Sequence, residues 1–349
     1  MTGRAKLDLV QSETNVNTLL EICRRRGRIL ILMQNNPDPD ALASAMALRD
    51  LIHARLRKRP IIGYGGVCGR AENRAMMSLL RIGARFVTPE SVRGYGTVCL
   101  VDAQPMAGNN AATSEDAADV VIDHHDLPQK ASYRPEFADI RPEYGATSTI
   151  LYEYLLAAEH PLSDDLATAL FYGIQSDTQE LGREASPPDV VAFQELFVKA
   201  DTKKLSRMRR APLPREYFEM LHESLANCVV ADKTVISMIR HSEHPDIFAE
   251  VADLMLRLEG MRCSVCYGVC GDTIFLSVRS VDGRTNAAER IVRVVRGLGS
   301  GGGHRTMAGA QIPAGGQPAM RLDVVYNRIL EQFASNHPPR PLFVEPAPI

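Results

Sequence analysis

The sequence predicts an α/β protein, with an N-terminal doubly wound, mostly parallel sheet and a smaller C-terminal α/β domain. Three observations carry this. Short apolar runs alternate with helical patterns through the first half, a basic stretch with two prolines interrupts them at 200–215, and a second series of strands and helices follows. Arg28–Met33 (RILILM) reads as a buried strand. Ala41, Ala45, Leu48, Ile52 and Leu56 then recur at steps of three and four, one face of a helix. Pro60–Tyr64, Thr97–Asp102 and Asp119–Asp123 are further strands, and after Asp123 the pattern turns helical over Gly145–Glu159, Asp164–Gln179 and Pro188–Ala200. Strands alternating with helices imply a parallel sheet covered on both faces. In the second half, Phe218–Cys228 reads as helical and Thr234–Ile239 as extended. Ile247, Val251, Leu254, Met255 and Leu258 share a helix face, and strands follow at Arg262–Val269 and Thr273–Arg279. A helix at Asn286–Val295 precedes the glycine-rich stretch 299–304, a short strand and a last helix near Met320–Ser335. The domains expected are therefore 1–199, a linker and hinge at 200–215, 216–336, and a loose tail at 337–349.

Composition narrows the class. Lys+Arg 40 against Asp+Glu 42 gives a formal charge of -2, which argues against a long electrostatic track for nucleic acid. No apolar run approaches the ~20 residues of a membrane span, and the N-terminus has no apolar signal core. Seven cysteines, an odd number scattered along the chain, do not form a disulfide framework. A cytoplasmic protein is expected. Cys263, Cys266 and Cys270 lie along a strand-like run whose spacing divides them between two faces, so a zinc site there is not favoured.

The strands of the first half end on acids and histidines. RILILM runs into Gln34 and then Asp38 and Asp40; TVCLV ends on Asp102; DVVI ends on Asp123, His124 and His125. In an open α/β sheet the carboxyl ends of the strands line one crevice, so these groups should converge there, with Asp177 a further candidate. Asp38 also reads as the N-cap of the helix that follows it, a role compatible with ligation. Carboxylates and imidazoles at such density require cations, and mixed oxygen and nitrogen donors suit Mn²⁺, Zn²⁺ or Fe²⁺ better than Ca²⁺.

PDPDALAS at 37–44, VDA at 101–103, IDHH at 122–125 and GGGH at 301–304, in this order, resemble the DHH/DHHA1 phosphoesterases. The two-domain length is most similar to the oligoribonuclease (nanoRNase)/pAp-phosphatase branch. The resemblance implies two divalent metal ions, Mn²⁺ above all. It implies Asp38 on the first, Asp40 on the second, Asp102 bridging, and His124 and Asp177 completing the second. His125 would face the substrate phosphate as a catalytic residue, supported by Asp123. Arg279, Ser280, Gly302, Gly303 and His304 would bind substrate. Gln34 stands where the family usually carries a histidine ligand of the first metal, and an amide oxygen is the weaker donor. The function implied is hydrolysis of short oligonucleotides or of nucleotide phosphates such as pAp by metal-activated water. The alternatives are a narrow nucleotide phosphatase or pyrophosphatase-like enzyme, and a catalytically impaired nucleotide-binding regulator. The expected partner is short RNA or a nucleotide, neither a membrane nor a long duplex; a homodimer stays open.

Overall fold

The computed structural model describes residues 7–25, 27–126, 133–183, 185–281, 285–315, 318–334 and 337–343. Ser335 and the tail beyond Phe343 lie outside them. The chain divides into two units, Met1–Ala211 and Pro212–Ile349.

In the first unit the elements in chain order are α1 (Leu9–Arg24), β1 (Ile29–Leu32), α2 (Pro39–Leu56), β2 (Ile61–Tyr64), α3 (Ala71–Leu79), β3 (Arg85–Phe86), α4 (Pro89–Val92), β4 (Thr97–Val101), β5 (Val120–Asp123), β6 (Phe137–Ile140), α5 (Thr147–Ala157), α6 (Asp164–Asp177), α7 (Pro187–Lys199) and α8 (Thr202–Arg209). The sheet has six strands in the order β3-β2-β1-β4-β5-β6, and every pairing is parallel. The central strands β1, β4 and β5 are buried at every position because both faces are covered. Ile29 and Ile31 of β1, Cys99 and Val101 of β4, and Val120 and Ile122 of β5 pack into one core with α1, α2, α5 and α6. Leu30, Leu32, Val98, Leu100 and Val121 alternate onto the other face.

Two expectations for this unit are corrected. The pattern after Asp123 is not all helical, since the short edge strand β6 intervenes; its sequence, FADI, is too brief and mixed to show a period. Residues 202–209 are not linker but helix α8, capped by Asp201 and anchored by buried Leu205 and Met208.

The second unit comprises α9 (Arg215–Ala226), β7 (Val229–Ala231), β8 (Thr234–Ser242), α10 (Asp246–Met255), β9 (Cys263–Cys270), β10 (Thr273–Ser280), α11 (Ala287–Val295), β11 (Ser300–Gly303), β12 (Met307–Pro313), α12 (Pro318–Phe333) and β13 (Arg340–Pro341). Its seven-stranded sheet runs β11-β12-β10-β9-β8-β7-β13, antiparallel except for β8 with β9. Val265, Tyr267 and Val269 face a core with α11 and α12, while Cys266 faces α10. The tail is corrected as well. Arg340 and Pro341 pair with β7, and the Leu342 N–H donates to the Cys228 carbonyl at 2.8 Å, so residues 340–342 add an edge strand.

Candidate metal centre

The crevice expected at the carboxyl ends of β1, β4 and β5 is where the acids meet. Asp38 follows β1 and caps α2: Oδ1 accepts the Ala41 N–H at 2.9 Å, and Oδ2 accepts Gln34 Nε2 at 2.8 Å. Gln34 therefore does turn toward the acids, as a donor to Asp38. Asp40, in the first turn of α2, lies against the N-terminus of α5. Its two oxygens accept the Thr147 and Ser148 N–H groups at 2.7 and 2.8 Å, the favourable end of that helix for an anion.

Asp102 leaves β4 in the left-handed region at φ 55, a conformation Asp tolerates better than most residues, and its Oδ1 accepts the Thr147 hydroxyl at 3.0 Å. Asp123 ends β5 fully buried and acts as an orienter. Oδ1 accepts the His124 N–H and His125 Nδ1, both at 2.8 Å, and Oδ2 accepts Gln104 Nε2 at 2.9 Å. Asp177 is the last residue of α6.

His124 is where these groups converge. Its Nδ1 lies 3.1 Å from the Tyr144 carbonyl and donates to it, so Nε2 carries the lone pair in the neutral ring. That Nε2 is buried, stands 3.0 Å from Asp177 Oδ2 and 3.6 Å from Asp102 Oδ1, and has no well-directed hydrogen bond to either. In the neutral ring the Nε2 lone pair would face two carboxylates, so the position calls for positive charge, supplied by a proton on Nε2 or by a metal ion that replaces it. Ligand atoms of Asp40, His124 and Asp177 lie within 4.8 Å of one another, and so do those of Asp102, His124 and His125. A divalent ion with mixed oxygen and nitrogen ligands fits this donor set. Asp38 belongs to neither compact group. Arg183 steadies Asp177 by donating Nη2 to its backbone carbonyl at 2.7 Å.

The electrostatics agree with a cation site. Burial first, and the charge of Asp177 second, raise Asp40 to about 7 and Asp38 in the same direction. Burial and the neighbouring Asp38 and Asp40 push Asp102 well above the carboxylate range. Burial disfavours the charged form of His124, but the Asp177 carboxylate 3.0 Å away and the surrounding acids outweigh it and raise the imidazole to about 10. Asp177 and Asp123 move down: burial opposes this, and their histidine partners prevail.

Gly173 sets the distance between helices here. A Cβ on it would lie 2.3 Å from Ser148 Oγ of α5 and 3.2 Å from the Asp40 Cα of α2, so any larger residue here would push the Ser148 side chain aside and crowd α2. Sequence reasoning did not single out Gly173, Thr147, Gln104 or the Tyr144 carbonyl.

In the second unit, Arg279 and Ser280 end β10 opposite the strand that follows Gly302, Gly303 and His304: Arg279 is in register with Met307, and the Ser280 N–H donates to the Thr306 carbonyl at 2.8 Å. The glycine run is an exposed edge strand, not a free loop. Gly299, Gly301 and Gly303 are crowded by β12, whereas a Cβ on Gly302 would meet nothing within 4 Å. Arg279 is mostly buried and already engaged, donating Nε to Asp253 at 2.6 Å and Nη1 to Ser277 Oγ at 2.9 Å. Ser280 Oγ is buried without a hydrogen-bond partner among the described residues. The cysteine run is strand β9, where burial pushes the Cys263 thiol up to about 12.

Two family models match the chain: the DHH family, N-terminal domain, over residues 28–174, and the DHHA1 domain over residues 231–333. The chain is a DHH/DHHA1 protein. It is 35% identical over 292 residues to an uncharacterized protein of Methanocaldococcus jannaschii, covering 83% of this chain and 59% of that one. It is 25% identical over 329 residues to a cyclic-di-AMP phosphodiesterase of Geobacillus thermodenitrificans, covering 87% of this chain and 47% of that one. The chain thus spans about half the length of these relatives. Its fold is shared with an exopolyphosphatase-related protein from Bacteroides fragilis, at TM-score 0.67, 15% identity, and 91% and 96% coverage of the two chains. It is also shared with RecJ in complex with Mn²⁺ from Thermus thermophilus, at TM-score 0.57, 16% identity, and 93% and 55% coverage. The DHH domain holds the acid and histidine cluster that could bind metal. No described helix is long and apolar enough to cross a membrane.

Proposed function

We propose that this DHH/DHHA1 protein is a metal-dependent phosphoesterase that hydrolyses short oligonucleotides, or nucleotide phosphates such as pAp, with two Mn²⁺ ions. The observation that carries the reading is the convergence of Asp40, Asp102 and Asp177 on the buried, undirected Nε2 of His124. When bound, divalent ions in such a site neutralise phosphate oxygens and make water acidic enough to act as nucleophile near neutral pH. Asp40, Asp177 and His124 would hold one ion and Asp38 the other, with Asp102 placed to serve both. His125, held through Nδ1 by Asp123 and 41% exposed, donates to the substrate phosphate. Arg279, Ser280, Gly302, Gly303 and His304 bind substrate, with Asp253 pre-orienting the Arg279 guanidinium. The matched cyclic-di-AMP phosphodiesterase supports a short nucleotide phosphodiester, and free thiols at all seven cysteines suit the cytoplasm.

The test is turnover of end-labelled RNAs of two to five nucleotides, a long single strand and pAp, with Mn²⁺. Short substrates are expected to react at least about tenfold faster than the long strand, a difference of about 1.4 kcal/mol in barrier. Processive digestion of the long strand would overturn the substrate assignment. One observation favours the regulator as a second reading: the Gln34 amide occupies Asp38 Oδ2, an oxygen the first ion would need. If that reading holds, nucleotides bind without turnover, and Gln34→His creates Mn²⁺-dependent hydrolysis where little existed.

A further inference from the structure

Away from the acids, α6, α7 and α8 of the first unit border a cavity of about 430 Å³, within the range of small-ligand pockets. None of the proposed metal ligands lines it. Its wall combines three chemistries. Phe197 lines it with half its surface exposed (53%), its ring 5.3 Å from that of Phe171 and tilted by 42°. Arg209 and Arg210 line it from the end of α8. Arg209 is 53% exposed and its ion pair is with Glu180, itself 61% exposed, a surface pair that holds the guanidinium weakly. Arg210 is exposed and has no carboxylate partner among the described residues. Finally, Gln175 lines the wall, and its buried Oε1 has no hydrogen-bond donor among the described residues, a costly state for a carbonyl oxygen.

We propose that this cavity is a second nucleotide site, distinct from the metal centre, that takes a nucleoside 5′-monophosphate whose base bears an exocyclic amine. Each part of the wall answers one part of that ligand. The base stacks on Phe197, as a flat π-system does on an exposed aromatic face. The amine donates to Gln175 Oε1 and supplies its missing partner. The phosphate takes Arg209 and Arg210, whose planar guanidinium groups match its oxygens, with the Ser206 hydroxyl beside them. An apolar peptide would leave both arginines and Gln175 unanswered, and inorganic phosphate would leave the aromatic wall bare. Gln175 and Asp177 share the last turn of α6, so a ligand on Gln175 presses on the helix that carries Asp177. The proposal does not depend on the activity assigned above.

The experiment is calorimetric titration of the full chain in EDTA with adenosine 5′-monophosphate. Wild type and Asp102→Asn are expected to bind alike. Phe197→Ala and Arg210→Glu, both at exposed positions, should weaken binding at least tenfold while melting at the wild-type temperature. Gln175→Leu should abolish the preference for adenosine over purine riboside 5′-monophosphate, which lacks the amine, and leave phosphate recognition intact. Absence of binding to wild type would overturn the proposal. So would unchanged binding in Phe197→Ala and Arg210→Glu, which would assign all affinity to the acid cluster. Equal affinity for inorganic phosphate alone would likewise overturn it, by removing the base from recognition.

Discussion

Arg141 and His124 are both buried side chains set among acids in the DHH domain, and their surroundings follow different rules. Arg141 is 7% exposed beside Asp139 and Glu153, at 9% and 0%. It donates Nε and Nη2 to the two oxygens of Asp139 at 2.9 and 2.8 Å, and Nη1 to Glu153 at 2.5 Å. The remaining capacity of those carboxylates is taken by the Tyr144 and Tyr154 hydroxyls, Ser12, Asn15 and the Asp8 N–H. One cation serves two anions, and each carboxylate oxygen accepts at least one bond. Around His124 and His125 stand five acids, Asp38, Asp40, Asp102, Asp123 and Asp177, with His124 Nε2 undirected and three of the acids raised in pKa. The first cluster is complete within the chain. The second is complete only with added positive charge, and that shortfall separates a binding centre from a structural clamp.

Removing the charge at the centre of each cluster should therefore have opposite consequences. Arg141→Met leaves Asp139 and Glu153 buried and uncompensated, and should cost about 3–5 kcal/mol of folding stability. Urea unfolding measures it, and a loss under 1 kcal/mol would mean that the tyrosines and Asn15 suffice. Asp102→Asn keeps a residue that tolerates the left-handed backbone and can still accept from Thr147, while removing an anion from the acid cluster. It should lower Mn²⁺-dependent hydrolysis about a hundredfold, about 2.7 kcal/mol, without lowering the melting temperature of the metal-free chain. A large drop in melting temperature would place Asp102 with the clamp instead.

The smallest effect is on pH. In the metal-free chain His124, raised to about 10, carries a proton at neutral pH, and ligation needs Nε2 without it. Metal uptake must therefore expel about one proton between pH 7 and 9, and affinity should rise with pH by up to about tenfold per unit. Below pH 7, Asp40 begins to hold a proton as well and steepens the dependence. Titration in buffers of different ionisation enthalpy counts the protons. A flat profile would show that His124 does not ligate.

The parts of this architecture legible in sequence were those written in side-chain pattern. Apolar runs ending on Asp102 and on Asp123–His125 marked both the parallel strands and their crevice, because fully buried strands leave unbroken apolar signatures. The α8 helix was not legible, since its two anchors, Leu205 and Met208, are embedded in basic residues between polar flanks. The glycine run carries no side chain to show the period of an edge strand. Within the site, the Tyr144 carbonyl and the α5 N–H groups that grip Asp40 are backbone atoms, for which residue identity holds no signal. Gln104 is a polar residue whose role emerges only from its distance to Asp123.

The near-contact of α6 with α2 at Gly173 has a consequence for how this domain can change over time. The helices carrying Asp40 and Asp177 are spaced by a hydrogen atom where any other residue would put a carbon. A single methyl would have to turn the Ser148 side chain aside and press on Ala43 and Asp40 of α2. Residue 173 meets neither ion nor substrate in the proposed chemistry, yet it is the gauge block against which the ligand spacing is cut. Change at this position is resisted by two neighbouring helices at once, and tuning for an ion of another radius would begin there.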